Sequence, residues 1–247
     1  MPEHYSETLY SEIAGQYDET RWQGKGAFID SLQKELLYRI LKQCGIKKGS
    51  KILDVGAGTG RLVIPFAGEG YDTYGIDIAE DMLQVARDKA EDMKNLHLEV
   101  ADARKMPFAD DHFDFITSYR VLIHIPEYEV VLKEMFRLLK LGGYAVFEFN
   151  NKYSLSGVAR IVRRLRRVLG KPVSTDTQVV SVSALSRSLA NAGFAVEKIH
   201  HQFFISEVVF RYLPEPTLKF LKGIDKVSSG SFLGGLSTRF IVLAKKP

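Results

Sequence analysis

Short apolar runs and helical stripes alternate along this chain. The runs 51–55, 73–78, 96–101, 113–119 and 144–149 are rich in Ile, Val, Leu, Phe and Tyr and are bounded by Gly, Asp, Asn or Pro. Between them, apolar residues return every third or fourth position, which predicts helices at 62–67, 79–92 and 127–140. Strands that alternate with single helices predict parallel βαβ units. Upstream, Phe28, Leu32, Leu36, Leu37, Ile40 and Leu41 share one face of a helix over 27–44, and Gly45 stops it. A further helical stripe runs from Leu9 to Tyr17. Downstream come a helix from Val158 to Leu169, a helix from Val182 that ends at Gly193, and a strand from Ala195 to Phe204. Helical pieces at 208–213 and 216–227 and a last strand at 239–244 follow. The expected architecture is α/β: a doubly wound, mostly parallel seven-stranded sheet with helices on both faces and an antiparallel last strand. A helical cap precedes it, and a helical insertion follows strand five.

The most informative junction is Lys51-Ile52-Leu53-Asp54-Val55-Gly56-Ala57-Gly58-Thr59-Gly60-Arg61-Leu62. An apolar run ends beside an acid, three alternate glycines follow, and a helical pattern begins at once. Glycines take φ > 0 and leave no Cβ between backbone and ligand. The next helix turns its free N–H groups toward the same spot. The dinucleotide fingerprint G-x-G-x-x-G would need a third glycine where Arg61 stands, so a nicotinamide dehydrogenase is disfavoured. A second run ends at Asp77-Ile78, where a carboxylate can accept both hydroxyls of a ribose.

The spacing D-x-G-x-G-x-G from Asp54 to Gly60 resembles motif I of the Rossmann-like methyltransferases that use S-adenosylmethionine (SAM). Three further segments resemble the same family in the same order. Asp102-Ala103 matches its adenine-contacting turn, Met106-Pro107-Phe108 through Phe113-Asp114 its lead into strand four, and Arg137 to Gly143 its lead into strand five. Leu141 stands where that last motif has proline. The resemblance is strong over about 53–149. It implies SAM as cofactor, with Asp54, Gly56, Ala57, Gly58, Gly60, Asp77, Ile78, Asp102 and Ala103 around it. Met82 is placed to rest on the adenine, or else is a plain core residue. The stretch Tyr10 to Asp18 resembles the family's N-terminal cap, so Tyr10 and Tyr17 would face the cofactor and Arg21 would pair with its carboxylate.

Strand ends face the ligand in such sheets, which brings Tyr119, Arg120 and His124 near the cleft. His124 matches a histidine of the family's segment after strand four. It reads either as a general base or substrate contact, or as a residue that fixes its loop. Glu148, an acid inside strand five, is a second base candidate, against an exposed place on the sheet rim. No metal-ligand set stands out. His200 and His201 are adjacent in a strand and point to opposite faces.

Composition changes this picture in one place. The net charge is +4, yet residues 151–171 carry seven Lys and Arg and no acid, which leaves −3 elsewhere. That amphipathic basic stretch reads as a solvated face, a lid, or a surface for an acidic or lipid-like acceptor, with peripheral membrane contact as an option. An RNA- or DNA-directed enzyme would use the arginines of 160–171 on phosphate, but no Asn/Asp-Pro-Pro-aromatic motif follows strand four. A non-catalytic SAM-binding protein is the other alternative. The lone Cys44 excludes an internal disulfide and reads as a core residue. The absence of an apolar run long enough to span a bilayer, and a start without signal-peptide layout, suggest a cytoplasmic protein. The expected organisation is one domain over 1–247: a cap at 1–45, a SAM-binding core at 46–150, a basic insertion at 151–180, and C-terminal strands and pocket-wall helices at 181–247. The expected function is methyl transfer from SAM to a small-molecule or lipid-precursor acceptor.

Overall fold

The computed structural model describes residues 10–23, 25–154, 177–202 and 237–247. The basic helix expected at 158–169, the pieces at 208–227 and the end of the strand expected to reach Phe204 lie outside the described residues. Two helices lead in, α1 (Tyr17–Trp22) and α2 (Lys25–Gln43), and then strands and helices alternate. These are β1 (Lys51–Val55), α3 (Val63–Gly68), β2 (Asp72–Asp77), α4 (Glu80–Ala90), β3 (Leu96–Val100), β4 (Phe113–Ser118), α5 (Tyr128–Leu138) and β5 (Leu139–Asn151). The chain closes with β6 (Val179–Val180), α6 (Val182–Ala192), β7 (Ala195–Gln202) and β8 (Arg239–Lys245). The sheet order is β3-β2-β1-β4-β5-β8-β7, and β8 runs antiparallel to both neighbours. All seven expected strands are present. An eighth, the two-residue β6, pairs in parallel with the end of β5.

Strand alternation divides the core into two layers. Leu53, Val55, Ala145, Phe147 and Phe149 point to one face, where Val131, Met135 and Leu138 of α5 and Leu185 and Leu189 of α6 cover them. Ile52, Phe115 and Val146 point to the other, under Leu36, Leu37, Ile40 and Leu41 of α2 and Phe66 of α3. Glu148 follows Phe147 in the strand and so falls on the α2 side. It is 2% exposed, which overturns its expected place on the rim. There its Oε1 accepts from Gln33 Nε2 at 3.3 Å and pairs with Arg239 at 3.2 Å.

Two boundaries differ from the sequence pattern. Strand β5 begins at Leu139, because Lys140 to Gly143 extend it toward β8 rather than forming a turn before it. Helix α3 starts only at Val63, after a run of turns through Leu62. The glycine junction is therefore a folded loop, not the immediate first turn of a helix. The sheet places its carboxyl ends, Val55, Asp77 and Ser118, side by side, with β1 between β2 and β4. Strand order reverses between the parallel neighbours β1 and β4, the switch point where α/β sheets leave a crevice.

Candidate active site

The three glycines of the loop at that crevice do different things. All have positive φ, at 84°, 54° and 85° for Gly56, Gly58 and Gly60. A Cβ at Gly56 would stand 1.9 Å from Val121 Cγ2, and one at Gly60 2.5 Å from Ile64 Cδ1. Those two positions are close-packing points against the chain's own side chains. A Cβ at Gly58 would meet only Met82 Cε at 3.3 Å and Asp77 Oδ2 at 4.0 Å, on the cavity side. Asp77 closes the loop from the next strand: Gly58 N–H donates to its Oδ2 at 2.9 Å and Ala79 N–H to its Oδ1 at 3.0 Å. Burial raises the Asp77 pKa, and the N–H groups of Ala79, Gly58 and Ile78 oppose that rise. Each carboxylate oxygen keeps a lone pair for a ligand.

A cavity of about 190 Å³ opens over this loop. Gly56, Ala57, Gly58, Asp77, Ile78, Met82, Asp102, Ala103 and Tyr119 line it, as do Tyr10, Tyr17 and His124. Asp54, Gly60, Arg21 and Glu148, also expected at the site, do not line it. Asp54 lies beneath the loop, 3% exposed, and accepts the Thr117 hydroxyl at 2.6 Å. Burial pushes its carboxyl up to about 7, against the pull of Thr117 and Arg61. In place of Arg21, its neighbour Trp22 reaches the cavity together with Arg61. The Arg61 guanidinium lies 4.5 Å from the Trp22 ring and 5.6 Å from that of Tyr119. It donates to Asp30 at 2.7 Å and to Gln33 at 3.1 Å. The sequence shows Arg61 only as a missing glycine; its pairing with a helix thirty residues upstream leaves no local signal.

The N-terminal segment is fastened over this floor. Tyr10 and Tyr17 pack against Ala14, Ala79 and Met82. Asp18 accepts the Thr59 hydroxyl at 2.5 Å and pairs with Lys89 of α4. The far wall is the stretch 120–127. Arg120 opens it at φ 63°, a conformation that L residues rarely hold outside special sites. His124 follows in a 3₁₀ turn, and its Nε2 lies 3.2 Å from Tyr10 Oη. Burial, reinforced by the positive charges of Arg120 and Arg21, lowers the His124 pKa to about 4. The imidazole is therefore neutral near pH 7. Ile125, Pro126 and Glu127 continue the wall, and Arg104 faces it while chelating Asp102 through Nε and Nη2. That pairing holds the Asp102 carboxyl below its ordinary value. None of these last four wall residues lies within a motif. Among the described residues no group of His, Cys, Asp and Glu could hold a metal ion.

Comparison with known proteins places this geometry. Residues 53–147 match the family described as Methyltransferase domain. A demethylmenaquinone methyltransferase of Staphylococcus aureus is 42% identical over 111 residues, 44% of this chain and 46% of that protein. The matched stretch thus spans about half the length of the curated relatives. Among solved structures, the magnesium protoporphyrin IX methyltransferase of Synechocystis PCC 6803, solved with bound SAH, aligns over 97% of this chain and 99% of its own. Its TM-score is 0.65 at 18% identity. The cyclase SpnF aligns over 98% of this chain and 96% of its own, with TM-score 0.67 and again 18% identity. At that identity the likeness is one of fold.

Proposed function

We propose, from the match of residues 53–147 to a methyltransferase domain, that this chain moves a methyl group from SAM to a small-molecule acceptor. The observation that carries the reading is Asp77. It is a carboxylate tied to the Gly58 and Ala79 backbone in the wall of the cavity, with lone pairs left for two ribose hydroxyls. Gly58 suits the same ligand, since a side chain there would occupy cavity space. Ile78, Met82 and Ala103 give the apolar surround that an adenine needs, with Asp102 at its edge. Asp54 and Gly60 support the loop from beneath and beside it.

When bound, SAM supplies a methyl carbon activated by the adjoining sulfonium. The chain's part is alignment, which can supply about 7–11 kcal/mol of such a barrier. Beyond the cofactor surfaces, the cavity offers Tyr10, His124, Ile125 and Pro126 to an acceptor. His124, neutral near pH 7 and beside the Tyr10 hydroxyl, is the group placed to take a proton from an acceptor O–H or N–H. Glu148, tied to Arg239 away from the cavity, has no such part. The half-length relatives named for demethylmenaquinone point to a quinol-like ring as the first acceptor to try. Among the described residues, no helix is long and apolar enough to cross a membrane. We propose a cytoplasmic location with optional peripheral membrane contact.

Since a cyclase shares the fold, turnover and not binding alone decides. The test is calorimetry with SAH, followed by transfer of label from tritiated SAM to a panel holding a demethylated naphthoquinol, a porphyrin, simple phenols and short RNA and DNA. SAH binding with label in a small molecule is the expected result. Absence of SAH binding overturns the cofactor assignment. Binding with label only in RNA or DNA overturns the acceptor class.

A further inference from the structure

We propose that Gln178 is a positioning residue for the acceptor wall, holding His124 in place through the residues on either side of it. This inference rests on the reading of His124 as an acceptor-side residue. The Gln178 backbone N–H donates to Ile123 O at 2.8 Å, and its side-chain Nε2–H donates to Ile125 O. One residue thus grips both carbonyls that flank His124. Within the turn, His124 N–H reaches Val121 O at 2.8 Å and Ile125 N–H reaches Leu122 O at 3.3 Å, while Leu122 and Ile123 are buried in the core and leave His124 to be aimed by the backbone on either side of it. It also follows directly on Arg120, whose φ of 63° sets the chain on an unfavourable path.

Gln178 is itself anchored to the sheet. Asn150, at the end of β5, donates through Nδ2 to Thr177 Oγ1 at 3.0 Å and to Gln178 O at 3.4 Å. Val179 and Val180 pair with Asn150 and Asn151, and Lys152 N–H donates to Val180 O at 3.0 Å. The connection runs from the β5 end through Gln178 to the backbone around His124, and from the His124 ring to Tyr10 of the N-terminal segment. This explains why a strand of only two residues exists: β6 seats Gln178 opposite the wall. Gln178 touches neither cofactor surfaces nor the cavity, so it acts through His124. A reacting group displaced by about 1 Å can cost on the order of 10²-fold in rate.

The test uses the full chain with Gln178→Met and Gln178→Glu. Both match glutamine in length. Methionine lacks the donor, and a carboxylate would set a negative oxygen against Ile125 O. Three quantities are read: SAH affinity by calorimetry, thermal midpoint, and the titration of the His124 imidazole by NMR in ¹³C-histidine-labelled protein, assigned with His124→Gln. The groups acting on that ring are Tyr10, Arg120 and Arg21. We expect SAH affinity to stay within about 2-fold in both variants, since no cofactor surface moves. The His124 titration midpoint should rise toward its ordinary value, by more than about half a pH unit for Met and further for Glu, as the freed turn lets water reach the ring. A side chain that merely fills space predicts no difference between the two variants. An unchanged midpoint in Gln178→Met, with SAH still bound by the wild type, overturns the inference alone. If the Glu variant fails to fold, Gln178→Met still decides by the same criterion. Failure of the wild type to bind SAH counts instead against the proposed function, and leaves the His124 comparison readable.

Discussion

Asp54 holds a carboxyl in the protein's interior, directly under the loop that shapes the cavity, and Asp54→Asn should report what that costs. Its pKa stands at about 7 against an ordinary value near 3.9. Three units at 1.36 kcal/mol each make about 4 kcal/mol of differential stability. The sign follows from proton uptake. Between those two values the folded state holds more protons than the unfolded one. Stability contributed by the neutral acid is full below about pH 4, is lost progressively as pH rises to 7, and stays lost above it. Asparagine keeps an oxygen for the Thr117 hydroxyl, and it removes the titration. It also brings an N–H whose missing partner costs about 1–3 kcal/mol. The variant should thus be less stable than the parent near pH 4.5 and should gain on it as pH rises, by a total of about 3 kcal/mol at pH 8. Urea unfolding of both proteins at several pH values measures this. The histidines that titrate in the same range are common to both proteins and cancel in the difference. A difference in stability that stays constant from pH 4.5 to 8 would refute the account, because Asp54 would then ionise in the folded protein as it does in water.

Other outcomes follow from single contacts. Asp77→Asn should weaken SAH binding by a factor of at least about 30, the value of one or two hydrogen bonds to a charged acceptor, and should also lower stability by about 1–3 kcal/mol, because the amide nitrogen cannot accept from Gly58 or Ala79 N–H; calorimetry and a melt on the same sample check both. Gly56→Ala should destabilise the fold by about 3 kcal/mol or more, since its Cβ would meet Val121 at 1.9 Å on a backbone at φ 84°. Adding Val121→Ala should recover only the steric part of that loss in denaturant unfolding, leaving the φ penalty. Glu148→Gln removes the negative charge that pairs with Arg239 and should cost about 3–5 kcal/mol, while SAH affinity is unchanged. A variant that kept full stability but lost the ligand would put Glu148 back at the site.

The sheet, and the glycine loop with Asp77 beside it, were legible because each rests on short-range signals. A strand that ends at Gly56 or Asp77 announces itself by an apolar run and a turn residue, and the βαβ repeat dictates that consecutive runs become neighbours. Burial alternation along β5 was equally available, yet the sequence left Glu148 between a base candidate and an exposed place on the rim. Its partners explain the difference: Gln33 comes from α2 and Arg239 from β8, 115 and 91 positions away, and no local pattern reveals a distant cation that offsets a buried acid. The same limit applies to Arg61. Beside three glycines it looks like a solvent-facing residue, and only the fold brings Asp30, Gln33, Trp22 and Tyr119 around it.

The glycines themselves show how far a motif carries. D-x-G-x-G-x-G was expected to bare three backbone positions to a ligand. Gly56 and Gly58 line the cavity, but only at Gly58 would a side chain extend into it; Gly56 and Gly60 are small because Val121 and Ile64 press against them. Val121 belongs to the same wall as His124, so the glycine loop and the 120–127 wall are packed directly on each other. A bulkier residue at 56 would press on Val121, three residues before His124 in the same wall. The glycine loop and the 120–127 wall are thus tied at the Gly56–Val121 contact, and the backbone around His124 is held from behind by Gln178. The first tie has a sequence signature, because glycine is the sole residue that fits. The second has none, because any chain segment with a donor in the right place would serve.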